Sequence, residues 1–195
     1  MTEEFGTLIS LPLAEGATCS RPGSLPEMVH LTSPAIDVMT DLQLTRAVTT
    51  GPNVSIDDAL AKMKYVGVRL LFVIGAEEAV IGVISADDIL GERPVVLAEK
   101  QGLGHKAITV EMVMTPHNQI TVMDMVSVNN ARVSHIIATL HKLERQHGLV
   151  VQSGPGDRQT IRGIFSTSQI SRQLGKDVPV DIPSAHSLAE LVQGA

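Results

Sequence analysis

The segment Val80-Ile81-Gly82-Val83-Ile84-Ser85-Ala86-Asp87-Asp88-Ile89-Leu90 has a second copy in the chain, Ile161-Arg162-Gly163-Ile164-Phe165-Ser166-Thr167-Ser168-Gln169-Ile170. In each copy an apolar, β-branched run reaches a Gly, continues for two apolar residues and ends at a Ser able to cap a helix. Each therefore reads as a buried strand that turns straight into a helix. The surrounding sequence repeats in step. Val113-Met114-Thr115 stands 75 positions after Val38-Met39-Thr40, and Leu149-Val150-Val151 stands 77 after Phe72-Val73-Ile74. Val133, Ile136, Ile137 and Leu140 stand 77 after Ile56, Ala59, Leu60 and Met63, while Gly163 and Ser166 stand 81 after Gly82 and Ser85. The offset changes only in predicted loops, as it should for two copies of one folded unit.

Within the first copy, a helix is predicted after Ser55, because Ser55-Ile56-Asp57-Asp58 is a capping box followed by apolar residues at helical spacing, and Gly67 ends it. Leu70 to Ile74 is a fully apolar strand, Gly75 to Glu78 a turn, and Val80 to Ile84 a second strand forming a hairpin with the first. The helix after Ser85 runs to about Gly91, where Pro94 forces a break or a restart. Ahead of the repeats, residues 1–35 carry Pro12, Pro22, Pro26 and Pro34 and read as a Pro-rich extended arm that packs on the body or on a partner. The expected divisions are this arm, a first repeat with its connecting helix at 36–105, a second repeat at 106–175, and a tail at 176–195. The tail contains one short amphipathic stretch, Ser187 to Val192, read as a packing or dimer element.

Composition narrows the function. Of 195 residues, 44% are apolar and 18% charged, which is globular, but only 2% are aromatic, so the core is aliphatic and the platforms on which single-stranded nucleic acids stack are missing. The net charge of −6 supplies no basic footprint for nucleic acid or an anionic membrane. One cysteine, Cys19, excludes an internal disulfide and a cysteine-built zinc site and fits a reducing compartment. The start, Met1 to Phe5, is acidic and lacks the basic and apolar regions of a signal peptide. No apolar run reaches ~20 residues, so the expected location is cytoplasmic.

The unit from Ile36 to Gly175, with its Val-Met-Thr opening and its Gly-apolar-apolar-Ser-x-x-Asp close, resembles the cystathionine-β-synthase (CBS) domain. The first repeat carries Asp37-Val38-Met39-Thr40, Thr49 with Pro52, Asp58-Ala59-Leu60, Arg69 and Gly82 to Asp88; the second keeps Val113-Met114-Thr115, Ile120-Thr121-Val122 and Gly163 to Ser166, with Gln169 in place of the acid. The resemblance implies an α+β fold of tandem β-α-β-β-α units packed with pseudo-two-fold symmetry and paired as a homodimer. It also implies adenine nucleotides such as AMP, ADP, ATP or S-adenosylmethionine bound in clefts between the units. Carried over residue by residue, the first cleft uses Ser85, Asp88, Val48, Thr49 and Arg69, and the second uses Ser166, Ile120 and Thr121.

Each of these residues also has a plainer structural reading. Ser85-Ala86-Asp87-Asp88 is a capping box that stabilises its helix by ~1 kcal/mol without any ligand, and Ser166-Thr167-Ser168-Gln169 satisfies the same rule. Arg69 is either a phosphate ligand or a solvated charge. His135, His141 and His147 lie six apart, which turns successive side chains by about 240° and rules out a shared metal; they read as surface residues, with His147 at a strand start. Gly102-Leu103-Gly104 is a linker rather than a phosphate loop. Met112, Met114, Met123 and Met125 read as adaptable core filling. The expected function is a non-catalytic regulatory module that needs no cofactor, senses an adenine nucleotide and acts on an unidentified partner protein. The alternatives are a ligand-free interaction scaffold or a regulatory subunit of an enzyme.

Overall fold

A computed structural model describes residues 26–178. The elements follow the chain as β1 (Thr40–Asp41), β2 (Thr49–Thr50), α1 (Ile56–Val66), β3 (Leu70–Ile74), β4 (Val80–Ser85), α2 (Ala86–Leu90), α3 (Glu92–Gln101), α4 (Val110–Val113), β5 (Thr115–Pro116), β6 (Val122–Asp124), α5 (Met125–Asn129), α6 (Val133–Lys142), β7 (His147–Ser153), β8 (Gln159–Ser166) and α7 (Thr167–Leu174). The mixed α+β class follows directly. Ser55 caps α1 by accepting the Asp58 N–H at 3.1 Å, and Gly67 ends that helix at φ 80°, a conformation that costs glycine nothing. The break at Pro94 is a restart: α2 stops at Leu90, and α3 begins two residues before the proline.

Two four-stranded sheets form, ordered β2-β3-β4-β5 and β6-β7-β8-β1. They correspond strand for strand. In each, the short first strand pairs parallel with the first hairpin strand and the hairpin pairs antiparallel. The ladder register shifts at the same place, between Val73 and Ile74 in one hairpin and between Val150 and Val151 in the other. The fourth strand of each sheet comes from the other repeat. Asp41 of β1 pairs with Gly163 of β8, and Pro116 of β5 pairs with Gly82 of β4.

Those two glycines explain the exchange. A Cβ at Gly82 would lie 2.7 Å from the Thr115 carbonyl oxygen and 2.8 Å from the Met114 sulfur, and one at Gly163 would strike the Met39 side chain. The Met of each Val-Met-Thr opening thus lies over the bare glycine of the opposite hairpin.

Three apolar clusters result. One joins α1, β3, β4 and residues 108–113, with Ile56, Leu71, Ile84, Ile108 and Val110 fully buried. The second joins residues 29–39, α6, β7, β8 and α7 around Phe165, Leu140 and Ile170. The third lies between the sheets, where Leu70, Phe72 and Leu149 are buried against Val83, Ile120, Val122 and Ile164. The described end of the Pro-rich arm belongs to the second unit: Val29 donates its N–H to Gln173, whose buried amide donates to the Pro26 and Asp37 carbonyls at 2.8 and 3.0 Å. The Ser187 to Val192 stretch and residues 1–25 lie outside the described residues. Met114, Met123 and Met125 pack against the cores as expected, whereas Met112 is exposed on the outer side of α4.

Candidate functional site

At the join of β4 and α2, Ser85 Oγ accepts the Asp88 N–H at 3.1 Å, and Asp88 Oδ2 accepts the Ser85 N–H at 2.9 Å and its hydroxyl at 2.7 Å. The capping box read from the sequence is therefore formed. The other Asp88 oxygen accepts from Arg93 Nη1 at 3.1 Å, and the same guanidinium donates to the Val113 carbonyl. Ser85 and Asp88 both face a cleft of about 500 Å³ between the two units, within the ~300–1,000 Å³ of small-molecule pockets.

The opposite wall of this cleft comes from the second repeat. Ile120 and Thr121 enter from the connection into β6, and Arg145, Gln146 and His147 from the turn between α6 and β7, while Thr115 of β5 lies beside Val83 on the β4 side. The apolar part is made by Leu70, Val83 and Leu149 of the facing sheets. Ser85 and Asp88 are thus grouped with Ile120 and Thr121, which the sequence reading assigned to the other cleft. The exchange of β1 and β5 is the cause, because it carries the start of each repeat across to the opposite hairpin.

The remaining residues lie elsewhere. Val48 accepts the Phe72 N–H through its carbonyl and packs its side chain against the first unit's core. Thr49 lines a more open depression between the sheets, together with Phe72, Ile120, Leu149 and Ile161. Arg69 is exposed and paired to Asp87 at 2.7 Å, outside the lining of the cleft. Ser166 makes no cap: its hydroxyl lies 2.8 Å from Ser168 Oγ. Gln169 instead accepts the Thr40 hydroxyl at 3.0 Å, so the second capping box expected from the sequence is absent. Its longer side chain reaches past the backbone of its own turn to the crossing strand.

His147 reads from the sequence as a surface residue at a strand start; it does open β7, but it is largely buried in the lining of the cleft, standing 77 positions after Leu70 as Arg145 stands 77 after Val68. The signal was present in the repeat alignment, but a polar residue replacing an apolar one shows no destination until the two units are docked. Burial pushes the His147 pKa down to about 4; Asp87 works against the shift, Arg69 adds to it, and Asp88 opposes it. The imidazole is neutral at physiological pH, able to donate from one nitrogen and accept at the other. Among the described residues no cluster of three or more His, Cys, Asp or Glu could hold a metal ion, and no helix is long and apolar enough to cross a membrane.

Residues 35–94 match the family model for the CBS domain. No match was found among curated protein sequences. Among solved structures, an uncharacterized conserved protein from Pyrococcus horikoshii is similar at a TM-score of 0.53 and 23% identity, over 73% of this chain and 92% of that one. A CBS-domain containing protein from Agrobacterium tumefaciens is similar at 0.52 and 20%, over 80% and 98%. A conserved CBS domain protein of unknown function from Thermoplasma acidophilum is similar at 0.51 and 18%, over 69% and 68%. At these identities the likeness is one of fold. Residues 35–94 are thus similar to a CBS domain, and the chain, with two sheets built on one repeated plan, shares the fold of the CBS-domain structures it matches.

Proposed function

We propose that the chain is a regulatory module that binds an adenine nucleotide of the AMP, ADP or ATP class in the cleft between its units and has no catalytic activity of its own. The observation that supports this is the meeting of Ser85 and Asp88 from one repeat with Ile120 and Thr121 from the other around one cavity of nucleotide size. A carboxylate accepts two hydrogen bonds from a ribose diol, so the Asp88 oxygen now held by Arg93 is the acceptor a sugar would take. Leu70, Val83, Ile120 and Leu149 supply an apolar wall for a planar base. Because the ligand touches both repeats, its binding energy is available to fix the angle between them. In this reading the module works in the cytoplasm as a homodimer, and that angle is what a regulated partner protein senses.

Titration calorimetry with AMP, ADP and ATP, beside Asp88→Ala, tests the proposal. Binding of at least one nucleotide is expected, with loss of affinity on substitution and a stability gain of ~2.7 kcal/mol at a hundredfold excess over Kd. Absence of heat with all three would remove it.

One observation favours a second reading, that of a scaffold with no ligand. Ser85 and Asp88 are satisfied by each other, so their presence is explained by helix capping alone. Under that reading Asp88→Ala lowers the melting temperature, and no nucleotide restores or raises it.

A further inference from the structure

We propose that Arg93 is an autoinhibitory latch on the cleft: its guanidinium holds the Asp88 oxygen that an incoming ribose needs, and ligand entry displaces it, passing occupancy of the site to α3 and to the crossing strand β5. The inference rests on the nucleotide reading above and adds to it what the ligand has to move.

Counting acceptors makes the two contacts exclusive. A carboxylate offers about four lone-pair sites. Asp88 Oδ2 spends two on the Ser85 N–H and hydroxyl, at 2.9 and 2.7 Å, and Oδ1 spends a third on Arg93 Nη1 at 3.1 Å. The remainder cannot serve the two donors of a sugar diol. The bonds from Ser85 belong to the capping box and close within one turn of chain, so the contact that yields is the one to Arg93, whose side chain is 51% exposed against 16% for Asp88.

Arg93 is also held against the preference of its own helix. It stands in the first turn of α3, where the dipole disfavours a cation, so its place is fixed by Asp88 and by the Val113 carbonyl, which accepts at 3.2 Å. Glu92, Arg93 and Gln119 line both the cleft and a neighbouring groove of α3 and α4. A displaced guanidinium therefore has an outlet away from the ligand. Val113 gives the movement a destination, because the next residues carry the chain across to β4: Met114 lies over Gly82, and Thr115 pairs with Val83 and lines the cleft. Comparison of the repeats agrees. Asp88 and Arg93 stand where the second repeat, 81 positions on, has Gln169 and Leu174, so the junction without the acid is also without the arginine.

The test is calorimetry with adenosine, AMP, ADP and ATP on the wild-type chain, Arg93→Gln and Arg158→Gln, joined to amide hydrogen exchange with and without the tightest binder. Each ligand is expected to bind Arg93→Gln about two- to fivefold more tightly than the wild type, the gain set by losing one partly exposed ion pair. Arg158→Gln, which removes the same charge from the turn before β8, should give no gain. In the wild type, which needs no substitution, the ligand should alter exchange in α3 and at Thr115; in Arg93→Gln the cleft amides should still respond while α3 does not. No gain for any ligand in Arg93→Gln, an equal gain in Arg158→Gln, or wild-type α3 amides indifferent to the ligand would overturn the latch. Failure of all four ligands to bind either the wild type or Arg93→Gln would instead overturn the nucleotide reading beneath it, and the latch with it.

Discussion

Glu144 and His147 each hold a state that the unfolded chain would not choose. Glu144 is a non-glycine residue at positive φ in a position where the first repeat uses glycine. Glu144→Gly is therefore expected to stabilise the fold by about 1 kcal/mol, the relief of the left-handed conformation exceeding the added freedom of the unfolded chain. Chemical denaturation at neutral pH checks this, and an unchanged midpoint would show that the turn is not strained. His147, with its pKa depressed to about 4, stays neutral in the fold while the unfolded chain protonates near 6.5. Between those values the unfolded state binds the extra proton, so stability is full above about pH 6.5 and is lost as pH falls toward 4. The ceiling is ~3 kcal/mol. His147→Gln should flatten this part of the stability profile, measured as denaturation midpoints at pH 7.5 and 5.

At the scale of the element, the hairpins and helices were legible because their signals are local. A capping serine, an apolar run and a glycine stop are all contained within a dozen residues, so α1, β3 and β4 fall where the pattern puts them. β1 and β5 were not legible as pairing strands. Each is two residues long, and each finds its partner in the opposite repeat, so nothing near Thr40 or Thr115 states where it goes. The half-buried ion pair of Asp41 with Arg162 is of the same kind: burial raises the carboxyl, but the Arg162 hydrogen bond, the Gln43 N–H and the Arg162 charge outweigh it and hold the pKa below the usual value. The sequence reading placed Ser85 and Asp88 in one cleft and Ile120 and Thr121 in another for that reason, whereas all four line a single cleft. The glycine of the repeated segment has its explanation here too. Gly82→Ala would drive a methyl group into the Thr115 carbonyl and the Met114 sulfur, and is expected to cost about 1–3 kcal/mol. Thermal melts of Gly82→Ala, with Gly51→Ala as a control whose nearest neighbour would be 3.7 Å away, separate the crowding from a general effect of glycine.

For the whole molecule, the repeats of the sequence and the units that pack are out of step with one another. The first unit's core includes Ile108, Val110 and Val113, which follow the first repeat in the chain, and the second unit's core includes Val29, Val38 and Met39, which precede its own repeat by far. The bonds agree with the packing: Val110 and Glu111 donate to the Val54 and Pro52 carbonyls, and Ile56 donates to Ile108. A fragment cut at the sequence repeat, 36–105, would lose β5 and three buried apolar side chains, and would keep β1 with no strand to pair with. A fragment cut at the packing unit, 47–118, retains β2-β3-β4-β5 and the whole of that apolar cluster, exposing only the face that Leu70 and Phe72 turn toward the other sheet. Fully burying an aliphatic side chain is worth ~1.5–3 kcal/mol, so loss of three removes an amount comparable to the entire stability of a small domain. The 47–118 fragment is therefore expected to melt cooperatively and the 36–105 fragment to show no cooperative transition, as followed by far-UV circular dichroism and amide chemical-shift dispersion. A cooperative 36–105 fragment would mean that each repeat carries its own fold and that the crossing strands merely decorate it; the cleft would then be a seam between two independent bodies instead of a site that neither repeat can form without the other.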